Sequence, residues 1–346
     1  MALNVNHGIL PCDSPVPTAD YAIFRPLLML ARQGKTWTPS LLAGVSWRAL
    51  TNVCSLKEIL RLFKLSPFTE AAQSNPRLPF KFLTHDYLAR NLTVAERLSC
   101  FSHHHRRMCD VLPDHILLQI LHGGATLHTL YQAGRSFTLT IGLPRPPNDK
   151  EGELSLDLKM GSETVFNLSC SIIPGWVVKS KAAEVLLITR LQGLRGQYPQ
   201  IRQATKALCS VSPRAILLAA AQGVAEAFGI VEIAAVCATN QVYYCSELAF
   251  SFTNSYDEFF IDLGMAWTAP GFFGSSIPIT EKPLEEIKRG HKIRTRKKRL
   301  LKLEIQLACA KFFFQGDVRT SDCSGILQLG SVEPNVSPNW PSFRSR

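Results

Sequence analysis

The chain has 346 residues, 46% of them hydrophobic and 19% charged, which gives core material for one large domain or two small ones and excludes wholesale disorder. The net charge of +11 is uneven: Lys288 to Lys302 holds nine Lys/Arg and no acid, and the remainder is close to neutral. No apolar run reaches the roughly 18 to 20 residues that span a bilayer. No basic region followed by a long apolar stretch opens the chain, so no signal peptide is expected. The ten cysteines form no CxxC pair and mostly sit in apolar contexts, so they read as reduced, buried thiols of a cytoplasmic protein.

Residues 1 to 55 mix Pro, Gly and scattered apolar residues and read as a variable leader, with a short helix near Pro26 to Arg32. From residue 56 to about 131 the pattern is helical. Leu56, Ile59, Leu60 and Phe63 recur at helix spacing, and Pro76 and Pro79 interrupt it. Thr93 followed by Glu96 has capping-box spacing and starts a helix that carries His103, His104 and His105. Consecutive helical histidines point about 100° apart, so they cannot share one metal ion, and no metal site is expected. The expectation is a surface patch with one packed ring.

The period then changes to two over residues 132–280. Phe137, Leu139 and Ile141 alternate with polar residues. So do Leu154, Leu156 and Leu158, and then Phe166, Leu168, Cys170 and Ile172. Such alternation predicts antiparallel strands, with Gly161-Ser162 turning the second into the third. Val185 to Ile188 is apolar throughout and reads as a central strand. Ser212-Pro213 starts an apolar helix that Gly229 stops, and Val231 to Val236 is the next strand. Leu248 to Phe252 looks like a strand, and Gly271-Phe272-Phe273-Gly274 like a turn. Residues 283–311 read as one helix, basic in its first half, and 313–346 as a disordered tail. The expected architecture is α+β: a helical N-terminal half on a mixed, mostly antiparallel sheet, closed by a basic helix.

An ordered set of stretches resembles the VirK/YbjX family of bacterial proteins. They are Glu151-Gly152-Glu153-Leu154, Leu191-Gln192-Gly193, Thr205-Lys206 before Pro213-Arg214, Tyr256-Asp257-Glu258-Phe259, and the closing basic helix. The match covers residues 55 to 310. The triple histidine stands where the family usually reads His-Tyr, and Phe260 where it usually has Trp. The resemblance implies an accessory role in envelope integrity, antimicrobial-peptide resistance or virulence, in the cytoplasm or at the inner membrane surface.

The element order also looks like that of the GNAT acyltransferases, which cradle acyl-CoA pyrophosphate on a loop between a central strand and a helix. On that alternative Arg190, Gln192, Gly193, Arg195 and Gly196 form the cofactor loop, although Arg195 stands where the loop wants a small residue. Glu232, Tyr244, Asp257 and Glu258 are then the acid–base candidates. In the basic run, Arg294, Arg296, Lys297, Lys298 and Arg299 lie beside Leu300, Leu301, Leu303 and Ile305, a composition that suits an anionic membrane surface. A nucleic-acid-associated stress regulator is the third reading. It ranks below the others because the run holds no stacking aromatic beyond His291.

Overall fold

The computed structural model describes residues 39–64, 68–75, 77–84 and 86–314. The expected helix near Pro26 to Arg32 lies outside them, as does the expected tail 313–346 except for residues 313 and 314, which end the last helix. The N-terminal part is helical: α1 (Pro39–Thr51), α2 (Val53–Leu62), α3 (Phe68–Ser74), a 3₁₀ segment Leu78–Leu83, α4 (Val94–Val111) and α5 (Asp114–His122). The capping box of α4 forms as its spacing requires. The Thr93 hydroxyl accepts from Glu96 N, and Thr93 N donates to the Glu96 carboxylate at 2.7 Å.

Eight strands follow: β1 (Ala125–Gln132), β2 (Arg135–Gly142), β3 (Leu154–Met160), β4 (Glu163–Pro174), β5 (Glu184–Gly193), β6 (Glu232–Val236), β7 (Ala266–Ala269) and β8 (Phe272–Ser276). They make one sheet in the order β1-β2-β3-β4-β5-β6-β8-β7. Every pairing is antiparallel except β5 with β6. The crossover between those two carries α6 (Tyr198–Ala207) and α7 (Pro213–Ala227). Then come α8 (Ala249–Ser255), α9 (Asp257–Asp262) and, after β8, α10 (Lys292–Phe314). The fold is α+β with a mixed sheet.

The alternation in β3 and β4 sorts the two faces. Leu156 pairs with Leu168 and Leu158 with Phe166, and α7 packs on these strands, so its nearly all-apolar surface is buried. α10 lies on α7 and also reaches β1. The two helices cross at Gly223, where an added Cβ would collide with the Gln306 carbonyl. Among the described residues no helix is long and apolar enough to cross a membrane.

Four local expectations are corrected. β1 occupies Ala125–Gln132, where the helical pattern was expected to run on to about residue 131; a bulge between Thr126 and His128 breaks its alternation. Leu248 to Phe252 is not a strand but opens α8. Phe252, Tyr256 and Phe260 recur every fourth residue and their rings meet 6.0 and 6.5 Å apart, so the helical period wins. Phe272 and Phe273 belong to β8, not to a turn, and both are buried because the sheet is covered there on both faces. The histidine run is not a surface patch with one packed ring: His104 and His105 are both buried, and only His103 reaches the surface, 2.9 Å from Glu184.

Candidate functional site

Two regions draw together several of the residues that the sequence singles out. The first is the polar face of the sheet. Ser155, Asp157, Asn167 and Ser169 point away from α7, and Asn167 donates to both Ser155 Oγ and Asp157 Oδ1 at 2.6 Å. Ser169 pairs across the ladder with Arg190, and Asn167 with Gln192. Thr189 is a bulge in β5, its hydroxyl donating to Ser169 O at 3.0 Å and also to Glu151 O. Arg190 Nη1 stands 2.8 Å from Glu151 Oε2, and the Glu151 side chain is only 2% exposed. Burial pushes the Glu151 carboxyl above its ordinary range, and Arg190 pulls the other way. Tyr243 lies close enough to Glu151 for that charge, after burial, to help push its hydroxyl up to about 12.

The network continues through Glu153 into the helical half. Glu153 N donates to Ser171 Oγ at 3.0 Å, and its carboxylate meets Lys81 Nζ at 2.9 Å and Tyr87 OH at 2.8 Å. His105 Nε2 lies 3.5 Å from the same carboxylate. So Glu151 and Glu153, two residues apart, tie β5 and the 3₁₀ segment to the start of β3. No periodicity could announce this pairing, because both residues precede the strand.

At the carboxyl ends of β5 and β6 the sheet divides. The two strands pair only over Leu186–Ile188 with Ile233–Ala235, and β5 then runs on to Gly193 paired with β4 on one side only. Such a parting is what a GNAT-like cofactor slot requires. Side chains close it: Gln241 donates to Val236 O at 2.8 Å, and the buried Tyr256 hydroxyl lies 3.5 Å from Leu191 N. Gly193 has a packing reason for lacking a side chain, since a Cβ would come within 2.5 Å of the Ile201 δ-methyl and 3.3 Å of the Phe166 ring. Arg195 and Gly196 are exposed, and Arg190 turns to Glu151.

The acid–base candidates do not converge. Glu232 begins β6 at the opposite end of the sheet and accepts from the Ser180 hydroxyl. Asp257 caps Ala238 N at 2.7 Å, and its carboxyl is pushed up by burial while that amide holds it down. Glu258 is exposed. Tyr244 is half-buried with its ring 5.6 Å from the Arg90 guanidinium.

The second region is α10. Leu301, Ile305, Cys309 and Phe313 are buried under it. Ile293, Leu300, Leu307 and Phe314, spaced by sevens, are exposed on the opposite side, with Leu303 beside them. Arg296 lies within this stripe and Lys297 next to it, both exposed. Arg299 and Lys302 are held by Glu281. Among the described residues, Arg294, Arg296, Lys297 and Lys298 make no ion pair. The helix therefore carries two apolar faces, one spent on the core and one turned to solvent amid cations.

Residues 45–307 match the family described as a protein of unknown function, DUF535. The chain belongs to the DUF535 family. The match takes in the helical half from within α1, the whole sheet and the first two thirds of α10. No curated protein and no solved structure matches the chain.

Proposed function

We propose that this DUF535 chain is an accessory protein of the VirK/YbjX type, which supports envelope integrity, antimicrobial-peptide resistance or virulence from the inner surface of the cytoplasmic membrane. DUF535 is the family that includes VirK/YbjX. The observation that carries the membrane contact is the exposed stripe Ile293–Leu300–Leu307–Phe314 set among Arg294, Arg296 and Lys297, which make no ion pair among the described residues. An apolar stripe flanked by cations suits the boundary between acyl chains and anionic headgroups. Pelleting with anionic and with neutral vesicles tests it. The wild type is expected to sediment with the anionic ones, and Arg296→Glu with Lys297→Glu to stay in the supernatant. Equal recovery on both lipids, or no effect of the charge reversal, sinks the reading. In cells, the charge-reversed form is expected to fail to restore peptide resistance to a strain lacking the gene.

The acyl-CoA-dependent transferase reading draws on one observation, the parting of β5 from β6. Gln241 and Tyr256 occupy that gap and weigh against it. A rise in melting temperature with acetyl-CoA would restore it.

A further inference from the structure

Beside the exposed stripe lies a groove of about 630 Å³ between α7, α10 and the segment 278–284. Ala215, Leu218, Leu263, Ile279, Leu284 and Leu303 supply its apolar walls. Its volume falls within the range of small-molecule sites, about 300–1,000 Å³. Leu300 belongs both to the groove and to the stripe, so the two apolar surfaces are continuous. Four cations line it. Glu281 pairs with both Arg299 and Lys302, whereas Lys282 and Arg296 make no ion pair among the described residues; with Asp262 as the second carboxylate on the lining, four cations against two carboxylates leave a net charge of +2. An apolar trough with a net charge of +2 is complementary to a molecule with one hydrocarbon chain and an anionic head.

We infer that this groove takes one acyl chain of an anionic membrane lipid, the headgroup resting against Arg296 and Lys282. The inference rests on the membrane-surface reading for the source of the lipid. It adds a defined, saturable site to what would otherwise be surface adsorption. The chain leaves water for the walls formed by α7 and the 278–284 segment, so affinity rises with chain length until the groove is full, by roughly fourfold per methylene. The head supplies selectivity, because a zwitterionic head of the same chain length brings its own cation toward Arg296 and Lys282.

The test uses the full chain and single-chain lipids below their micelle-forming concentrations, followed by calorimetry and native mass spectrometry. Lauroyl lysophosphatidylglycerol is expected to bind one per chain. It should bind at least about tenfold tighter than the decanoyl form and more tightly than lauroyl lysophosphatidylcholine. Ala215→Trp, which fills the groove from α7, and Leu284→Ser, which makes its opposite wall polar, should each weaken binding about tenfold or more with melting behaviour retained. Absence of saturable binding, affinity independent of chain length, or unchanged affinity in both variants overturns the site. Occupation of the groove by the chain's own tail or by a peptide would appear as that absence. If vesicle sedimentation persists while lysolipid binding is absent, the site is wrong and the membrane reading survives. If lysolipid binding persists without sedimentation on anionic vesicles, the membrane reading fails and the groove stands as a lipid site.

Discussion

Lys81 Nζ lies 2.9 Å from Glu153 Oε1, with the two side chains 3% and 0% exposed. The lysine also donates to Gly152 O at 2.9 Å, so it fastens the 3₁₀ segment to the residues that lead into β3. Removing one partner of a buried pair leaves an uncompensated charge, which typically costs about 3–5 kcal/mol. Lys81→Met is therefore expected to lower the unfolding free energy from denaturant titration by that order. Replacing both residues, Lys81→Met with Glu153→Leu, should recover part of the loss. A single variant within about 1 kcal/mol of wild type would show that the pair carries little of the fold.

His104 and His105 set an acid limit. Burial, above all, lowers both pKa values from the ordinary 6.5. The folded state therefore binds fewer protons than the unfolded chain below that value. Stability is fully present above about pH 6.5 and falls as pH drops, by up to about 1.4 kcal/mol per unit for each ring. Glu151 acts with the opposite sign and in a lower window. Its pKa is raised, so its contribution is largest below the ordinary carboxylate range and is lost as pH rises through the folded value. His104 Nδ1 accepts from Ile172 N at 3.1 Å. His104→Asn keeps an acceptor there and cannot take the proton. Its unfolding free energy, followed from pH 7.5 to 5.5 (roughly one unit either side of the free value), should slope less steeply than that of the wild type. Parallel slopes would remove His104 from this account.

Gly223 should tolerate no side chain. A Cβ would strike the Gln306 carbonyl and lie 3.0 Å from Cys309 Cβ, so α10 would have to lift from α7. Overpacking of this kind costs about 1–3 kcal/mol, which exceeds the gain of roughly 1 kcal/mol from replacing a helical glycine by alanine. Gly223→Ala is expected to melt lower than wild type, and a higher melting temperature would contradict the close crossing.

The cations of α10 should divide into two functional sets. Arg296 and Lys297 are exposed and unpaired among the described residues, whereas Arg299 and Lys302 already face Glu281. A basic residue near an anionic surface contributes about 1 kcal/mol. Arg296→Ala with Lys297→Ala should therefore weaken vesicle binding roughly thirtyfold, and added salt should shrink that difference. Arg299→Ala with Lys302→Ala should change it far less. Equal effects from the two pairs would point to net charge alone rather than to this face.

The sequence discloses most of the sheet and little of the site. Leu154, Leu156 and Leu158 against Phe166, Leu168 and Cys170 announce β3 and β4 because one face packs on α7 while the other carries the polar network. β1 escapes notice because its bulge shifts the phase, and β8 because two adjacent phenylalanines are both buried. The stretches that carry the family resemblance do meet in space. Glu151 reaches Arg190, and Tyr256 approaches Leu191. Their order along the chain gave no sign of those contacts, which depend on the β4–β5 bulge and on the parting of β5 from β6. In the basic helix, composition shows that charges and leucines are mixed. Only the packing on α7 separates Leu301 and Ile305, which are buried, from Leu300 and Leu303, which are not.

α10 touches both the first strand and the crossover helix: it packs on α7 and on β1, where Glu304 lies 3.8 Å from His128. It therefore bridges the first strand and the β5–β6 crossover. Anything that binds its outer face binds only the folded state, and by linkage its binding free energy is added to the stability of the whole domain. A chain loosened by acid at His104 and His105 would be tightened by occupancy of a helix far along the sequence. Under the proposed lipid contact, lipid would act as a folding ligand as well as a docking surface, and abundance in the cell would follow the fraction of the protein bound.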